Sequence, residues 1–221
     1  MTFSLDAITA QLERRRKEKD HQDASQAKTR AAAVAMILRQ GRNGLELLFI
    51  QRALYENDPW SGNLAFPGGK VQQGEEPRQA AERETAEEIG LDLSDARYLG
   101  EMPVVRGSHL PVQVSCFVYW LNGSRPRLLL NGEVQDTYWA DLDELDDPRR
   151  HLIAPVRFSG EEFEVPAIRL PWPGSPVLWG LTYRLVMHFL DMHRDNESGV
   201  LIHPGNRSLE RQQSCIFSEI G

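Results

Sequence analysis

Apolar residues fall into short blocks along the chain, and the spacing within each block predicts what it becomes. Leu5, Ile8 and Leu12 recur at intervals of three and four behind Ser4, which predicts a helix through "LDAITAQLERRRKEK". Two nearly continuous apolar runs, within "RAAAVAMILRQ" and "LELLFIQRA", flank Gly41-Arg42-Asn43-Gly44 and predict a hairpin. Leu64 to Phe66 reads as a short extended piece leading into a Pro-Gly-Gly turn. A helix is predicted from about Pro77 to Ile89, with Pro77 in its first turn and Gly90 as its stop. "RYLGEMPVV", "VQVSCFVYWL" and "EVQDTYWADL" predict strands. The segment "ELDDPRRHLIAPVRFSGEEFEVPAIRL" predicts a short helix, a loop and another hairpin. Ser175 and Pro176 then open a last helix through "VLWGLTYRLVMHFLDMH".

Strands interrupted by one strong helix and followed by another define an α/β (α+β) class, with helices packed on a mixed sheet. Residues 1–29 read as an N-terminal helix and linker, 30–193 as one domain, and 194–221 as a polar tail. With 221 residues and 41% hydrophobic positions, the chain can bury a core. Its net charge of −7 argues against bulk binding to nucleic acid or anionic membranes, though not against a small anionic substrate. The basic stretch from Arg14 to Lys19 is interleaved with Glu18 and flanked by Glu13 and Asp20, so it reads as a solvated helix end. Cys116 sits in an apolar strand and Cys215 in the tail, which leaves no disulfide framework and no zinc spacing. No run approaches the ~18 apolar residues of a membrane span and no signal-peptide pattern opens the chain, so a cytoplasmic protein is the expectation.

Charge is concentrated on the Pro77–Ile89 helix. Glu84 and Glu87 are three residues apart, and Glu84 and Glu88 four apart, so all three project to one side. No lysine or arginine interrupts that stripe, and Arg83 lies roughly 100° from Glu84 on the wheel. Like charges at this spacing cost a few tenths of a kcal/mol per pair. A hard divalent cation with oxygen ligands would offset that cost. Spacing alone leaves two readings open, a metal-binding face and a solvated acidic one.

The surrounding residues carry more. Gly69, Glu75, Arg83, Glu84, Thr85, Glu87, Glu88, Gly90 and Leu91 follow the pattern Gly-x5-Glu-x7-Arg-Glu-U-x-Glu-Glu-x-Gly-U, where U is bulky and apolar and Thr85 is the one departure. This resembles the signature box of the Nudix hydrolases. The resemblance implies an α/β/α sandwich and cleavage of a nucleoside diphosphate linked to another moiety. It implies that Glu84, Glu87 and Glu88, with the Gly68 carbonyl, hold Mg²⁺ or Mn²⁺, and that Arg83 and Glu75 orient that set. Its partner would be a small nucleoside diphosphate substrate, with no nucleic acid and no membrane; homodimerisation is left open.

Outside the box, Arg52 and Gly62 through Gly69 resemble the element that precedes it in Nudix enzymes acting on coenzyme A. Phe49, Ile50, Ala53 and Asn57 depart from that element, and the spacing is one residue longer. "WGLT" (179–182) resembles the Trp-Gly-x-Thr helix of the same subgroup. This implies coenzyme A or an acyl derivative as substrate, split to 3′,5′-ADP and 4′-phosphopantetheine. The alternatives are ADP-ribose, dinucleotide polyphosphates or nucleoside triphosphates, and then a Nudix domain that binds without cleaving. Arg52, Gly69, Lys70 and Arg106 are the candidate substrate contacts. Trp179 and Thr182 are expected to be helix-packing residues, and His109 a surface residue. Trp60 either stacks on an adenine or pins its loop. Glu133 is the outside candidate for general base, against the reading of a plain strand-edge glutamate.

Overall fold

The strand β1 (Arg30–Gln40) organises the molecule, because every other part of the main sheet is built outward from it. The computed structural model describes residues 3–19, 30–56, 58, 60–107 and 112–194. The linker at 21–29, His109, Asn57 and the tail from 195 onward, with Cys215, lie outside these residues.

Along one edge β1 runs parallel to β7 (Val112–Leu121), from Arg30↔Val112 to Arg39↔Leu121. Along the other edge it has two partners in succession. Its N-terminal half pairs antiparallel with β4 (Gly68–Lys70), and its C-terminal end with β2 (Leu45–Arg52) as the predicted hairpin. The Phe-Pro-Gly-Gly stretch therefore does not end as a free turn. Gly68, Gly69 and Lys70 form a strand because β1 extends beyond β2 and leaves its polar backbone to be paired. β8 (Val134–Asp141) extends the sheet beyond β2, and β3 (Leu64–Ala65) pairs with Ile50 and Gln51 on the edge of β2 that β1 leaves. β5 (Arg97–Glu101) and β6 (Val105–Arg106) pair with β7.

Strand alternation sorts the core into two layers. Ala33, Ala35 and Ile37 of β1 face the helix α2 (Pro77–Ile89), whose Ala80, Ala81 and Ile89 are fully buried against them. Small residues on both elements bring the helix close to the sheet. Met36 and Leu38 face the opposite layer, made by α1 (Leu5–Lys19) and α4 (Gly180–Arg194). The expected α/β/α sandwich on a mixed sheet is what forms. Ile8 and Leu12 anchor α1, with Leu12 against Gly100 of β5, where an added Cβ would come within 2.8 Å of the leucine Cβ.

A short helix α3 (Leu142–Asp146) leads to a second, antiparallel sheet of β9 (His151–Phe158), β10 (Glu161–Ile168) and β11 (Leu178–Trp179). Ser159 and Gly160 turn the β9–β10 hairpin with positive φ angles of 53° and 88°. The last helix begins later than its sequence predicts. Leu178 and Trp179 pair with Ile168 and Ala167 of β10, and only at Gly180, with φ 68°, does the chain turn into α4. That positive φ is a glycine conformation.

Candidate active site

α2 delivers the glutamates, and the strand β4 meets them. Pro77 opens the helix, and Gln79 Oε1 accepts from the Glu76 N–H at 3.2 Å. Gly90 closes it, its N–H donating to the Ala86 carbonyl at 3.0 Å. Side chains of Arg78 and Glu82 bind the far face: Arg78 Nε donates to Glu82 (2.9 Å) and to the buried Tyr119 hydroxyl (3.3 Å), which itself donates to Glu82 (2.8 Å). The near face is then fixed in rotation.

On that near face Arg83 ties the acidic groups together. Its Nε and Nη2 donate to the two Glu75 oxygens at 2.8 and 3.1 Å. Its Nη1 donates to Glu84 (2.9 Å) and Glu87 (3.1 Å), and Nη2 also reaches the Lys70 carbonyl at 3.3 Å. The stripe is thus not uncompensated, as the wheel angle implies. A long side chain bends across the turn and neutralises neighbours its Cα direction does not face. Arg83 is held more firmly protonated, chiefly by Glu75, and Glu75 is lowered by Arg83 and by the Gln72 N–H.

Glu88 behaves differently. It is 2% exposed, and its Oε2 accepts from the Gly68 N–H at 2.8 Å. Burial pushes its carboxyl up to about 7; the Gly68 bond and the Arg52 charge pull it down, while Glu84 and Glu133 push it further up. Both glycines are needed here. A Cβ on Gly68 would lie 2.3 Å from the Ala33 carbonyl oxygen, and one on Gly69 would lie 2.5 Å from the Glu84 carboxyl carbon.

Among the described residues no three His, Cys, Asp or Glu side chains already converge as a metal cage does, and Arg83 holds one oxygen each of Glu84 and Glu87. The donors themselves fit a hard divalent cation: three carboxylates, one of them buried and destabilised by its own negative neighbours, which a cation would relieve.

The other predicted residues divide. Arg52, at the end of β2, donates through Nε and Nη2 to Asp58 at 3.2 and 2.8 Å and lines a cavity of about 220 Å³. Gly68 and Gly69 line the same cavity, which therefore opens beside Glu84. The Lys70 side chain is exposed next to it. Arg106, on β6, is exposed and is not among the lining residues; its carbonyl accepts from Arg184 at 2.7 Å. Glu133 is exposed, in a loop whose Asn131 N–H donates to the Glu88 carbonyl at 2.9 Å. Trp179 and Thr182, expected to be helix-packing residues, line the cavity, and Trp179 also packs on Trp60 and Phe158. Trp60 packs on Phe158 (4.8 Å between centroids) and Trp179 (6.1 Å). Sequence reasoning missed Asn63, Leu181 and Leu185 in the lining and Phe158 behind it. The Trp-Gly-x-Thr motif was the available signal for the α4 part.

The NUDIX domain family model matches residues 28–158. An 8-oxo-dGTP diphosphatase of Haemophilus influenzae is 30% identical over 105 residues, covering 48% of this chain and 74% of that protein. An RNA pyrophosphohydrolase of Hydrogenovibrio crunogenus is 47% identical over 53 residues, 24% of this chain and 29% of that one. A MutT/nudix family protein from Enterococcus faecalis superposes with a TM-score of 0.52 at 18% identity, over 88% of this chain and 76% of that chain. Matches to other relatives are partial: an uncharacterised Schizosaccharomyces pombe protein is matched over 32% of its length. The family model spans more than half of the 221 residues and ends inside the second sheet; the chain belongs to the Nudix family.

Proposed function

We propose that the protein is a divalent-metal-dependent pyrophosphohydrolase of nucleoside diphosphate derivatives. The observation that carries this reading is the tie from Arg83 to Glu75, Glu84 and Glu87 beside a buried Glu88 anchored on Gly68. Glu84, Glu87 and Glu88, with the Gly68 carbonyl, would hold Mg²⁺ or Mn²⁺. Such an ion, when bound, neutralises phosphate charge and lowers the pKa of a water molecule. Arg83 and Glu75 orient the carboxylates. Arg52, with Gly69 and Lys70, holds the diphosphate, and Arg106 takes an outlying contact. A carboxylate accepts the proton of the attacking water, and Glu133 is the loop candidate for that task.

The preferred substrate is coenzyme A or an acyl derivative, split to 3′,5′-ADP and (acyl-)4′-phosphopantetheine. The sequence around Arg52 and the "WGLT" stretch support it. A second reading is hydrolysis of a nucleoside triphosphate, ADP-ribose or a dinucleotide polyphosphate; the name of the H. influenzae relative, an 8-oxo-dGTP diphosphatase, favours the first of these. A substrate panel with Mg²⁺ or Mn²⁺, ranked by kcat/KM, separates the two; a higher value for a non-thiol nucleotide would overturn the coenzyme A reading. Glu87→Gln and Glu88→Gln should each lower kcat by at least about a hundredfold. Unchanged turnover in both would remove the enzymatic assignment of these residues.

A further inference from the structure

The cavity beside the glutamate helix is not a slot for a planar base. Its walls are mostly apolar, with Val34, Leu64, Phe66, Leu181 and Leu185 among them. Three of its polar side chains are already engaged. Trp179 Nε1 donates to Asn63 Oδ1 at 3.1 Å, and Arg52 is held by Asp58. A nucleobase entering here would give up water along its polar edges and find few replacements.

The aromatic residues of the wall point the same way. Trp60, from the loop after β2, meets Trp179 of β11 at 34° between ring planes. Phe158, at the end of β9, packs on Trp60 at 54° and on Trp179 at 82°. These rings are packed into one another, and no two stand parallel and apart to clamp a flat heterocycle. They make a continuous apolar surface. Gly68 and Gly69 connect that surface to Glu84, which they approach without a side chain in between. A substrate whose diphosphate lies over α2 can therefore put only one of its two halves into the cavity.

We infer that this cavity seats the uncharged, flexible arm of the substrate, its methyl and methylene groups against the walls and its amides toward the opening, leaves the rigid nucleoside outside, and makes Trp60, Trp179 and Thr182 the residues that select the arm. Phe158 is a positioning residue that holds the two tryptophans from the second sheet. This assignment rests on the pyrophosphohydrolase reading for its kinetic test, but it also has a test that needs no turnover.

The kinetic test compares two substrates that share an ADP unit and differ in the other half, coenzyme A and ADP-ribose. Thr182→Phe, which fills the cavity, and Trp179→Ala, which opens its wall, should lower kcat/KM for coenzyme A at least roughly tenfold, while ADP-ribose changes by less than about threefold. Equal losses on both substrates, or no loss on coenzyme A, overturn the assignment; thermal melts identify a variant that has merely failed to fold. The binding test titrates the wild-type chain with 4′-phosphopantetheine and follows tryptophan fluorescence. Saturable change that ribose 5-phosphate does not produce, and that Thr182→Phe abolishes, supports the assignment even if no diphosphate is cleaved. No change, or the same change in Thr182→Phe, sinks it even if coenzyme A is hydrolysed. Absence of turnover on every diphosphate would count against the reaction alone.

Discussion

At the scale of single residues, a charge's partners depend on side-chain reach as much as on helical direction. The spacing of Glu84, Glu87 and Glu88 made their common face legible, because a helix repeats every 3.6 residues. Arg83 was legible as a neighbour but not as their bridge, since a side chain with four rotatable bonds selects its rotamer from the whole surrounding. Arg83→Lys keeps the charge and loses the planar fork that reaches Glu75, Glu84 and Glu87 together. Manganese affinity, read by electron paramagnetic resonance, and kcat/KM should both fall by about 10- to 100-fold; unchanged affinity would separate Arg83 from the ligand set. His193 poses a different residue-scale question. It is buried between Phe3 and Phe189, and its Nδ1 donates to the Phe189 carbonyl at 2.6 Å, which leaves Nε2 buried without a partner. Burial lowers its pKa from the usual 6.5, so the unfolded chain binds the proton more readily. Stability is then retained above pH 6.5 and declines as pH falls from that value toward the lowered one. Urea midpoints at pH 7.5 and 5.5 should differ more for the wild type than for His193→Leu; the same difference in both would exclude His193 as the source.

At the scale of elements, the ends and faces of α2 are set by different kinds of information. Pro77 and Gly90 bounded it in the sequence because backbone sterics are local. Its rotation depends on a distant partner, the Tyr119 hydroxyl of β7, which meets both Arg78 and Glu82. Tyr119→Phe removes that buried hydroxyl and should cost about 1 kcal/mol in urea unfolding. It should also lower kcat a few-fold with KM little changed, through the helix that carries the glutamates. The start of α4 was illegible for the same reason. Leu178 and Trp179 carry helical spacing with the residues after them, yet they pair with β10, some ten residues upstream. Local periodicity cannot report a ladder partner.

At the scale of the whole molecule, α1 belongs to the same packed layer as α4. Ile8 and Leu12 are buried, and Leu12 rests on Gly100 of β5. Leu12→Ala should destabilise the protein by about 2–4 kcal/mol while leaving kcat/KM within about twofold at temperatures where it stays folded. A loss of activity without loss of stability would instead link α1 to the site. Among the described residues no helix is long and apolar enough to cross a membrane. By itself the sequence determined the strands and helices with strong periods, the α/β (α+β) class they define, and the box that places three carboxylates on one face. These are properties of neighbouring residues, fixed by backbone geometry and side-chain alternation. Only the tertiary structure decided that Gly68–Lys70 becomes a strand on β1, that Arg83 spans the glutamates, and that Phe158 packs behind the wall made by Trp60 and Trp179. The strand and the aromatic cluster bring together groups whose separation along the chain leaves no local signal, joined by backbone pairing and by burial of a common surface. The Arg83 bridge is near in sequence but depends on a rotamer that its whole surrounding selects.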